Sequence, residues 1–342
     1  MKDVIAELDA WSGVRVALAT VVDVKRSAPR PPGAKMAIND RGEVSGAVSG
    51  GCVEGAVVEV AQDVLSGGPP RLVTYGIEDE EAWDVGLPCG GEITVWIQAD
   101  PDEGFAALAR DDRRGALITD LSDGSRWLVT ADGPGPGGLD ADVLAAAEEL
   151  MWAERSEVRE FGERRLFIDV THPAPRLLAV GAVDFARQLC RVAVSVGWRP
   201  FVIDPRGFFA RPDRFPEAEQ VVAAWPQEGF SRLGIDKATA IAVLTHDPKL
   251  DDAALLAALE SDAGYIGAMG SRRAQARRRE RLLEHGVSED ALERISAPIG
   301  LDLGALTAEE TALSIMGEIV AVRHGRSGGR LRDAAGRIHE VG

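Results

Sequence analysis

Two cysteines of this sequence stand beside paired glycines. Cys52 follows Gly50 and Gly51 and precedes a run, residues 53–65, whose pattern predicts a helix. Glycines let a ligand approach the backbone closely. A helix N-terminus attracts anions and lowers the pKa of a thiol. The pattern therefore predicts a site for an anionic, sulfur-reactive or metal-containing ligand.

The second cysteine, Cys89, lies in a similar setting, between Pro88 and the pair Gly90 and Gly91. For each cysteine alone, a small buried apolar residue is the favoured interpretation, because free cysteines are often buried. Both interpretations stay open for the pair. The chain has three cysteines and no C-x-x-C spacing, which argues against a disulfide scaffold, a structural zinc site and a thiol-redox protein.

The composition limits the classes of protein to consider. A length of 342 residues suits two domains, and a hydrophobic fraction of 45% is enough for buried cores. The net charge of −17 argues against nucleic acid or an anionic membrane as a partner, because binding phosphates needs a basic face. No apolar run reaches the roughly 18 residues of a membrane span. The first residues are acidic, unlike those of a signal peptide. We therefore expect a cytoplasmic protein.

Patterns in the first half predict a mixed α+β domain covering residues 1–170. Its apolar and β-branched stretches predict strands at residues 14–24, 36–38, 43–48, 71–75, 92–97, 116–120 and 127–129. Little further pattern stands out between residues 100 and 171. The segment 167–175, which holds two prolines, is interpreted as the domain boundary.

A proline-rich loop lies between the first two predicted strands. Three of four consecutive positions, residues 29–32, are proline, which restricts φ and cannot donate to a sheet. The loop should therefore be stiff. It carries Arg26, Arg30 and Lys35 in a chain that is short of positive charge.

From residue 176 the sequence alternates strands with helices, which is typical of a parallel α/β sheet. Thr307 and Glu310 form a capping box that predicts the start of a helix ending near Arg323. We therefore predict an α/β fold with a C-terminal Rossmann-like domain, residues 171–342. Its predicted strands are residues 176–180, 200–203, 240–244 and 265–269.

The first strand-to-helix turn of this domain only partly matches a dinucleotide fingerprint. The fingerprint needs glycines near positions 183 and 186, but only Gly181 is present. Val183 places a side chain where backbone should meet phosphate, and Asp184 repels an anion. Asp204, after the second strand, either holds a ribose hydroxyl or merely ends the strand.

Two later loops should reach the crevice that open parallel sheets form at the carboxyl ends of their strands. Ser271, Arg272 and Arg273 begin a helix and predict a phosphate cradle. His246 and Asp247 form either a metal or acid–base pair or a strand-end hydrogen-bond pair. The arginines that follow the cradle are expected to form a solvated face: Arg277, Arg278, Arg279 and Arg281.

Taken in order, these motifs resemble the XdhC/CoxI family, whose members are accessory proteins that mature molybdenum hydroxylases such as xanthine dehydrogenase and carbon monoxide dehydrogenase. Many family members read Gly-Ala-Gly-His at the first turn, whereas this chain reads Gly-Ala-Val-Asp, as in the CoxI-like branch. The departure concerns dinucleotide binding and not the fold. The segments that carry the resemblance are residues 27–36, 48–54, 86–91, 181–186, 245–249, 265–273 and 298–304.

The resemblance implies a chaperone rather than an enzyme. Such proteins bind the molybdenum cofactor, as molybdopterin or its dinucleotide form, while a cysteine desulfurase replaces a terminal oxo ligand with sulfur. They then deliver the cofactor to an apo-hydroxylase. The resemblance also implies a homodimer. Two alternatives stay open: an NAD(P)-dependent oxidoreductase, and a nucleotide-sensing assembly scaffold without a metal.

Carried onto this chain, the resemblance assigns phosphate contacts to basic residues and metal or sulfur contacts to Cys52 or Cys89, since thiolate is a soft ligand. We expect the cofactor to lie between the two domains. The complete set of candidate cofactor-binding residues is Arg30, Lys35, Gly50, Gly51, Cys52, Cys89, Gly181, Asp204, His246, Ser271, Arg272 and Arg273.

Overall fold

The computed structural model describes residues 1–25, 30–76, 91–131, 133 and 137–333. The chain divides into two compact units, the first at Met1–Pro173 and the second beginning at Ala174. Both units combine helices with sheets, so the predicted α/β fold class is confirmed. No helix in the described ranges is long and apolar enough to cross a membrane.

The first unit contains a five-stranded antiparallel sheet, in the order β3-β2-β1-β5-β4. Strands β2 and β3, predicted at residues 36–38 and 43–48, pair as a hairpin around residues 39–42. The strands are β1 (Val16–Lys25), β2 (Lys35–Asn39), β3 (Val44–Gly46), β4 (Arg71–Tyr75) and β5 (Glu92–Ala99). Helices α1 (Ile5–Ala10), α2 (Glu54–Leu65) and α3 (Glu103–Arg110) accompany it.

Alternate residues of β1 pack on opposite faces of this sheet, as the pleat of a strand requires. Ala17, Ala19 and Val21 belong to a core shared with α2. Leu18 belongs to a second core with Phe105 of α3. Both faces are therefore covered, which explains why the strand is apolar along nearly its whole length.

A second antiparallel sheet of the first unit has the order β7-β6-β9-β8. Its strands are β6 (Gly115–Asp120), β7 (Arg126–Thr130), β8 (Glu157–Phe161) and β9 (Arg164–Thr171), and helix α4 (Ala141–Ala153) packs on one face. Phe167 is buried inside β9, so the first part of the segment 167–175 belongs to this sheet. The division between the units falls after Pro173, near the end of that segment.

The second unit contains a six-stranded parallel sheet, in the order β12-β11-β10-β13-β14-β15. The strands are β10 (Arg176–Val180), β11 (Arg199–Ile203), β12 (Gln220–Val222), β13 (Thr239–Val243), β14 (Tyr265–Ala268) and β15 (Ile295–Ser296). The predicted Rossmann-like architecture is confirmed. The sheet order reverses at β10, whose neighbours are β11 and β13.

Helices cover both faces of the parallel sheet. Residues of α5 (Asp184–Ser195) and α10 (Ala308–Arg323) form the core on one face. The predicted capping box of Thr307 and Glu310 begins α10. The opposite core takes residues from α6 (Pro226–Leu233), α7 (Pro248–Leu259) and α8 (Arg272–Glu284), and the short helix α9 (Glu289–Leu292) follows α8.

A buried ion pair joins the two sheets of the first unit. Lys35, at the start of β2, is 0% exposed, and its Nζ lies 2.5 Å from a carboxylate oxygen of Asp169 in β9. The Nζ also donates to the carbonyl of Gly33 at 3.1 Å and lies 5.9 Å from the ring centre of Phe105. The ammonium group is thus fully engaged inside the unit.

We expect the Asp169→Asn substitution to lower the free energy of unfolding by about 3–5 kcal/mol, because it leaves a buried ammonium without its counter-charge. Differential scanning calorimetry of the full chain measures the change. The double variant Lys35→Met/Asp169→Leu should recover most of the loss. As a control, Asp3→Asn removes the exposed partner of Arg30 and should cost less than about 1 kcal/mol. Equal losses in the two single variants would contradict the assignment.

Candidate functional site

The glycine–cysteine loop connects β3 to α2 and is closed by Glu54, the first residue of α2. Its carboxylate accepts hydrogen bonds from the amides of Ser49 at 2.8 Å, Gly50 at 3.0 Å and Gly51 at 2.8 Å. It also accepts from the Ser49 hydroxyl at 2.6 Å. The two glycines adopt φ angles of 91° and 114°, and this left-handed backbone turns successive amides toward one carboxylate.

Burial raises the pKa of Glu54, but hydrogen bonds from Ser49 and the loop amides outweigh that effect and lower the pKa to about 2. The carboxylate is therefore ionised at neutral pH. This corrects the expectation that the amides of Gly50 and Gly51 are free for an external anion. The loop does bind an anion, but the anion is a side chain of the same chain.

Cys52 is held in this loop through its backbone. Its amide donates to the Ser49 hydroxyl oxygen at 3.0 Å, and its half-buried side chain packs against the core shared by the sheet and α2. The backbone position of Cys52 is therefore fixed, and its thiol is partly accessible to solvent. Cys89 lies outside the described residues. Cys190, the third cysteine, is buried in α5, and burial raises the pKa of its thiol to about 12.

The described ranges contain no group of three or more His, Cys, Asp and Glu side chains placed to hold a metal ion. Of the two cysteines in those ranges, Cys52 is half-buried and Cys190 is buried. A thiolate is a soft metal ligand.

Two of the basic residues predicted near the proline-rich loop are engaged in ion pairs, and the third, Arg26, lies outside the described residues. Arg30 pairs with Asp3 at the surface. Lys35 lies in the interior, where it pairs with Asp169. The expected phosphate contact of Lys35 is therefore wrong, because a ligand in solvent cannot reach a side chain that is 0% exposed.

In the second unit, the turn after β10 uses its own backbone amides. Gly181 donates to the carbonyl of Ile203 at 2.8 Å, and Val183 donates to the carbonyl of Gly181 at 2.9 Å. The amide between them, that of Ala182, donates to Asp204 at 2.8 Å. These amides are consequently not available to a pyrophosphate in this conformation.

Gly181 is needed here for close packing against the loop after β13. It has a φ of 110°, and a Cβ at this position would lie 2.2 Å from the Cγ2 methyl of Thr245. The two loops therefore close over the base of the crevice at the reversal point of the sheet. Gly181 serves this contact rather than the cofactor contact predicted for it.

Asp204 is 0% exposed and serves the protein rather than a ribose. Besides the Ala182 amide, its carboxylate accepts from the guanidinium of Arg206 at 2.7 and 2.9 Å. Burial raises the pKa of Asp204, but the hydrogen bonds from Arg206 and Ala182 outweigh it and lower the pKa. The predicted contact of Asp204 with a ribose hydroxyl is therefore corrected, because both of its carboxylate oxygens already accept hydrogen bonds from the protein.

The loop that follows β14 presents Ser271, Arg272 and Arg273 to solvent. The Ser271 hydroxyl caps α8 by accepting from the amide of Ala274 at 3.2 Å. Within the part of the chain that the structure describes, Arg272 and Arg273 make no ion pair. Their guanidinium groups are therefore free to meet an anion. His246, after β13, is also exposed.

A buried ion pair anchors this loop. Arg278 of α8 lies 2.6 Å from Asp251 of α7 and donates to the carbonyl of Met269 at 3.0 Å. Thr245 donates its hydroxyl to the same aspartate. Burial outweighs these hydrogen bonds and raises the pKa of Asp251. Gln275 adds a bond to the carbonyl of Ala268 at 3.1 Å.

This pair corrects the expectation of a solvated arginine face, because Arg278 is 5% exposed and Arg281 binds Asp252 at 2.6 Å. Glu54 was also not predicted from the sequence. An acidic residue in the first turn of a helix, directly after paired glycines, was the available signal for it. No comparable sequence signal distinguishes Arg278 from the other arginines of its run.

Two family models match this chain. One, described as the XdhC Rossmann domain, matches residues 177–319, and the other, described as the XdhC and CoxI family, matches residues 10–76. The chain belongs to the XdhC and CoxI family. Its parallel sheet coincides with the first match, and the glycine–cysteine loop lies within the second.

Several proteins are similar over nearly the whole length of this XdhC and CoxI family chain. The molybdenum cofactor insertion chaperone PaoD of Escherichia coli K12 is 29% identical over 91% of this chain and 85% of PaoD. A protein of Bacillus subtilis 168 described as a probable subunit of xanthine dehydrogenase is 27% identical over 90% of this chain and 92% of the relative. A crystal structure described as a xanthine dehydrogenase from Bacillus halodurans shares the fold, with a TM-score of 0.71, 24% identity and 98% of each chain covered.

We expect Glu54→Gln to lower the melting temperature of the first unit by about 3 °C or more at pH 7, because it removes charge-assisted hydrogen bonds. The folded pKa of Glu54 is about 2, below its ordinary value of 4.5, so its contribution is complete above pH 4.5 and is lost as the pH falls toward 2. Calorimetry from pH 6 to pH 2.5 should therefore show the wild type and variant converging. Glu59→Gln, on the exposed face of α2, is the control. A constant difference across this range would contradict the assignment.

Gly181→Ala should destabilise the second unit by about 2 kcal/mol or more, since the new methyl group meets Thr245 and the φ angle is unfavourable for alanine. Thr245→Ser removes the opposing methyl group and keeps the hydroxyl bonded to Asp251. Adding it should restore part of the loss in calorimetry or urea unfolding. An unchanged stability of Gly181→Ala would rule out the close contact.

Proposed function

We propose that this protein binds the molybdenum cofactor and delivers it to an apo-molybdenum hydroxylase. A relative that covers most of the chain is a molybdenum cofactor insertion chaperone. The structural observation that carries the proposal is the anchored loop of Ser271, Arg272 and Arg273. It places two uncompensated guanidinium groups at the carboxyl edge of a parallel sheet, in a chain whose net charge is −17.

Arginine is suited to this task because its planar donors match phosphate oxygens and stay charged at every physiological pH. The cofactor carries a phosphate, or a larger phosphate-bearing tail in its dinucleotide forms. Arg272 and Arg273 would bind this end. The Asp251–Arg278 pair keeps the loop in place, so little ordering cost is left for the moment of binding.

Cys52 would approach the metal or the sulfur that is transferred to it. Its fixed backbone and half-buried side chain support this role. The amides of the loop are bonded to Glu54 and Ser49, so the thiol is the group of this segment that remains to contact a ligand. Cys89 is proposed for the same role from sequence alone. We further propose that a cysteine desulfurase donates the sulfur, which co-purification with the full chain tests. We also propose that the protein is a homodimer, which sedimentation of the full chain tests.

The alternative of an NAD(P)-dependent oxidoreductase is disfavoured by the turn after β10. The amides of Gly181, Ala182 and Val183 are all bonded within the protein, and Asp204 is occupied by Arg206. A dinucleotide would have to break these bonds before its pyrophosphate reached the backbone.

We expect the double variant Arg272→Gln/Arg273→Gln to retain at least tenfold less cofactor than wild type, since each charge-assisted hydrogen bond to phosphate contributes about 1.5–3 kcal/mol. The protein is purified from cells that make the cofactor. Released pterin and molybdenum are then quantified together after oxidative denaturation. Arg277→Gln, an exposed arginine further along the same helix, should behave as wild type.

The same experiment with Cys52→Ser separates metal from phosphate contacts. This variant should keep the pterin phosphate contacts yet fail to activate an apo-hydroxylase in a reconstitution assay. A wild-type protein that holds neither pterin nor molybdenum, and takes up neither when cofactor is added, would overturn the proposed function. Bound NAD(P) alone would favour the oxidoreductase.

A further inference from the structure

A cavity of about 380 Å³ lies beside the parallel sheet, between the outer side of α5 and a short 3₁₀ turn at Pro212–Arg214. Val183, Arg187 and Arg191 are four residues apart and therefore share one side of the helix. Arg214 and Phe215 line the opposite wall. The volume falls in the range of small-molecule sites, which is about 300–1,000 Å³.

Three guanidinium groups face this cavity, and their donors are only partly used. Arg187 pairs with exposed Asp184 at 3.0 Å, but its Nε is buried without a hydrogen-bond partner. Arg214 donates through Nη1 to the carbonyls of Ala182 at 3.2 Å and Phe209 at 2.9 Å. Within the described chain its Nε and Nη2 donate to no protein group.

The acidic residues at the cavity neutralise this charge only in part. Asp213 lies 2.7 Å from the guanidinium of Arg211, a residue that does not line the cavity. Arg191 pairs with Glu217 at 2.9 Å, and Asp184 is largely exposed to solvent. Unused donors at Arg187 and Arg214 therefore remain for a bound anion of small size.

Aromatic rings adjoin the basic wall: Phe215 lines the cavity, and Phe209, outside the lining, contacts Arg214. The guanidinium of Arg214 lies 5.6 Å from the ring centre of Phe209 and 5.5 Å from that of Phe215. Arg206 lies 4.9 Å from the centre of the Phe209 ring. Phe208 is 79% exposed and meets Phe209 edge to face, at 5.6 Å between ring centres. Exposed aromatic and guanidinium planes of this kind stack flat heterocycles.

We propose that this cavity binds the phosphate end of a phosphorylated heteroaromatic compound, with Arg187 and Arg214 on the phosphate and Phe209 beside the ring. Two ligands carry this chemistry: a free nucleotide, and the nucleotide tail of the dinucleotide form of the cofactor, whose phosphate next to the pterin is left to Arg272 and Arg273. The second ligand rests on the proposed function. Neither requires the crevice that Gly181 and Thr245 close.

The first arm of the test uses the full chain purified from cells that lack the cofactor, with AMP and inorganic pyrophosphate as probes in titration calorimetry. Both should bind wild type with Kd values below about 1 mM. Arg187→Gln should weaken both by at least tenfold. Phe209→Leu should weaken AMP by at least threefold and leave pyrophosphate within twofold of wild type.

Arg232→Gln, which breaks an exposed i,i+4 pair on α6, is the matched control and should bind both probes as wild type does. Unchanged melting temperatures show that the variants are folded. Failure of wild type to bind either probe, or full binding by Arg187→Gln, overturns the proposal. Equal losses for both probes in Phe209→Leu overturn the assignment of the ring position.

The second arm compares cofactor retention by Arg187→Gln and Arg232→Gln after expression in cells that make the cofactor. Loss of pterin only in Arg187→Gln assigns the cavity to the cofactor tail. Unchanged retention with weakened AMP binding assigns it to a free nucleotide. A wild type that binds AMP but never retains cofactor refutes the proposed function while supporting the cavity, so the two failures are distinguishable.

Discussion

Two carboxylates of the chain itself accept hydrogen bonds from backbone amides of the glycine-bearing turns after β3 and β10, and the placement of the other candidate groups depends on this. Glu54 gathers the amides of residues 49–51, and Asp204 takes the amide of Ala182. Each carboxylate is ionised because hydrogen bonds outweigh the cost of its burial. An internal anion is permanently present at its site, so it fixes the loop without the entropy cost of capturing a free ligand. The turns are consequently rigid supports for neighbouring side chains.

This arrangement shifts recognition of external anions from backbone to side chains. Arg272 and Arg273 stand on a loop held by Asp251 and Arg278. The guanidinium of Arg214 donates through Nη1 to the carbonyls of Ala182 and Phe209, and its other donors bond no group of the described chain. A chain with a net charge of −17 repels anions at long range, but screening limits that field to about 8 Å at physiological ionic strength. Local arginines can therefore decide where a phosphate binds.

Much of the fold was predictable because its signals are local. The alternation of strands and helices after residue 176 and the capping box of Thr307 follow from periodicity and cap chemistry within short windows. Two strands of the second sheet of the first unit, β6 and β7, were predicted. The other two, β8 and β9, were missed because β9 pairs with β6 across about 50 residues and the pattern there is weak. Lys35 was misassigned for the same reason. Nothing near it in sequence reveals Asp169, 134 positions away, as its partner. The arginine run of α8 shows the limit most clearly, since only helix packing distinguishes buried Arg278 from exposed Arg277.

A protein that carries a cofactor must hold it and also release it, and the distribution of charge suits both requirements. Ionic contacts at an exposed site are weakened because water and salt compete for the same groups. A ligand held by several such contacts is retained through their sum, yet a partner can replace them one at a time. Buried contacts such as that between Arg278 and Asp251 would bind far more tightly, but breaking them would disrupt the protein. In the proposed function, the buried pairs serve the scaffold and the exposed arginines would serve the ligand. Stability and affinity would then be separate, so transfer of the cofactor need not unfold the loops that held it.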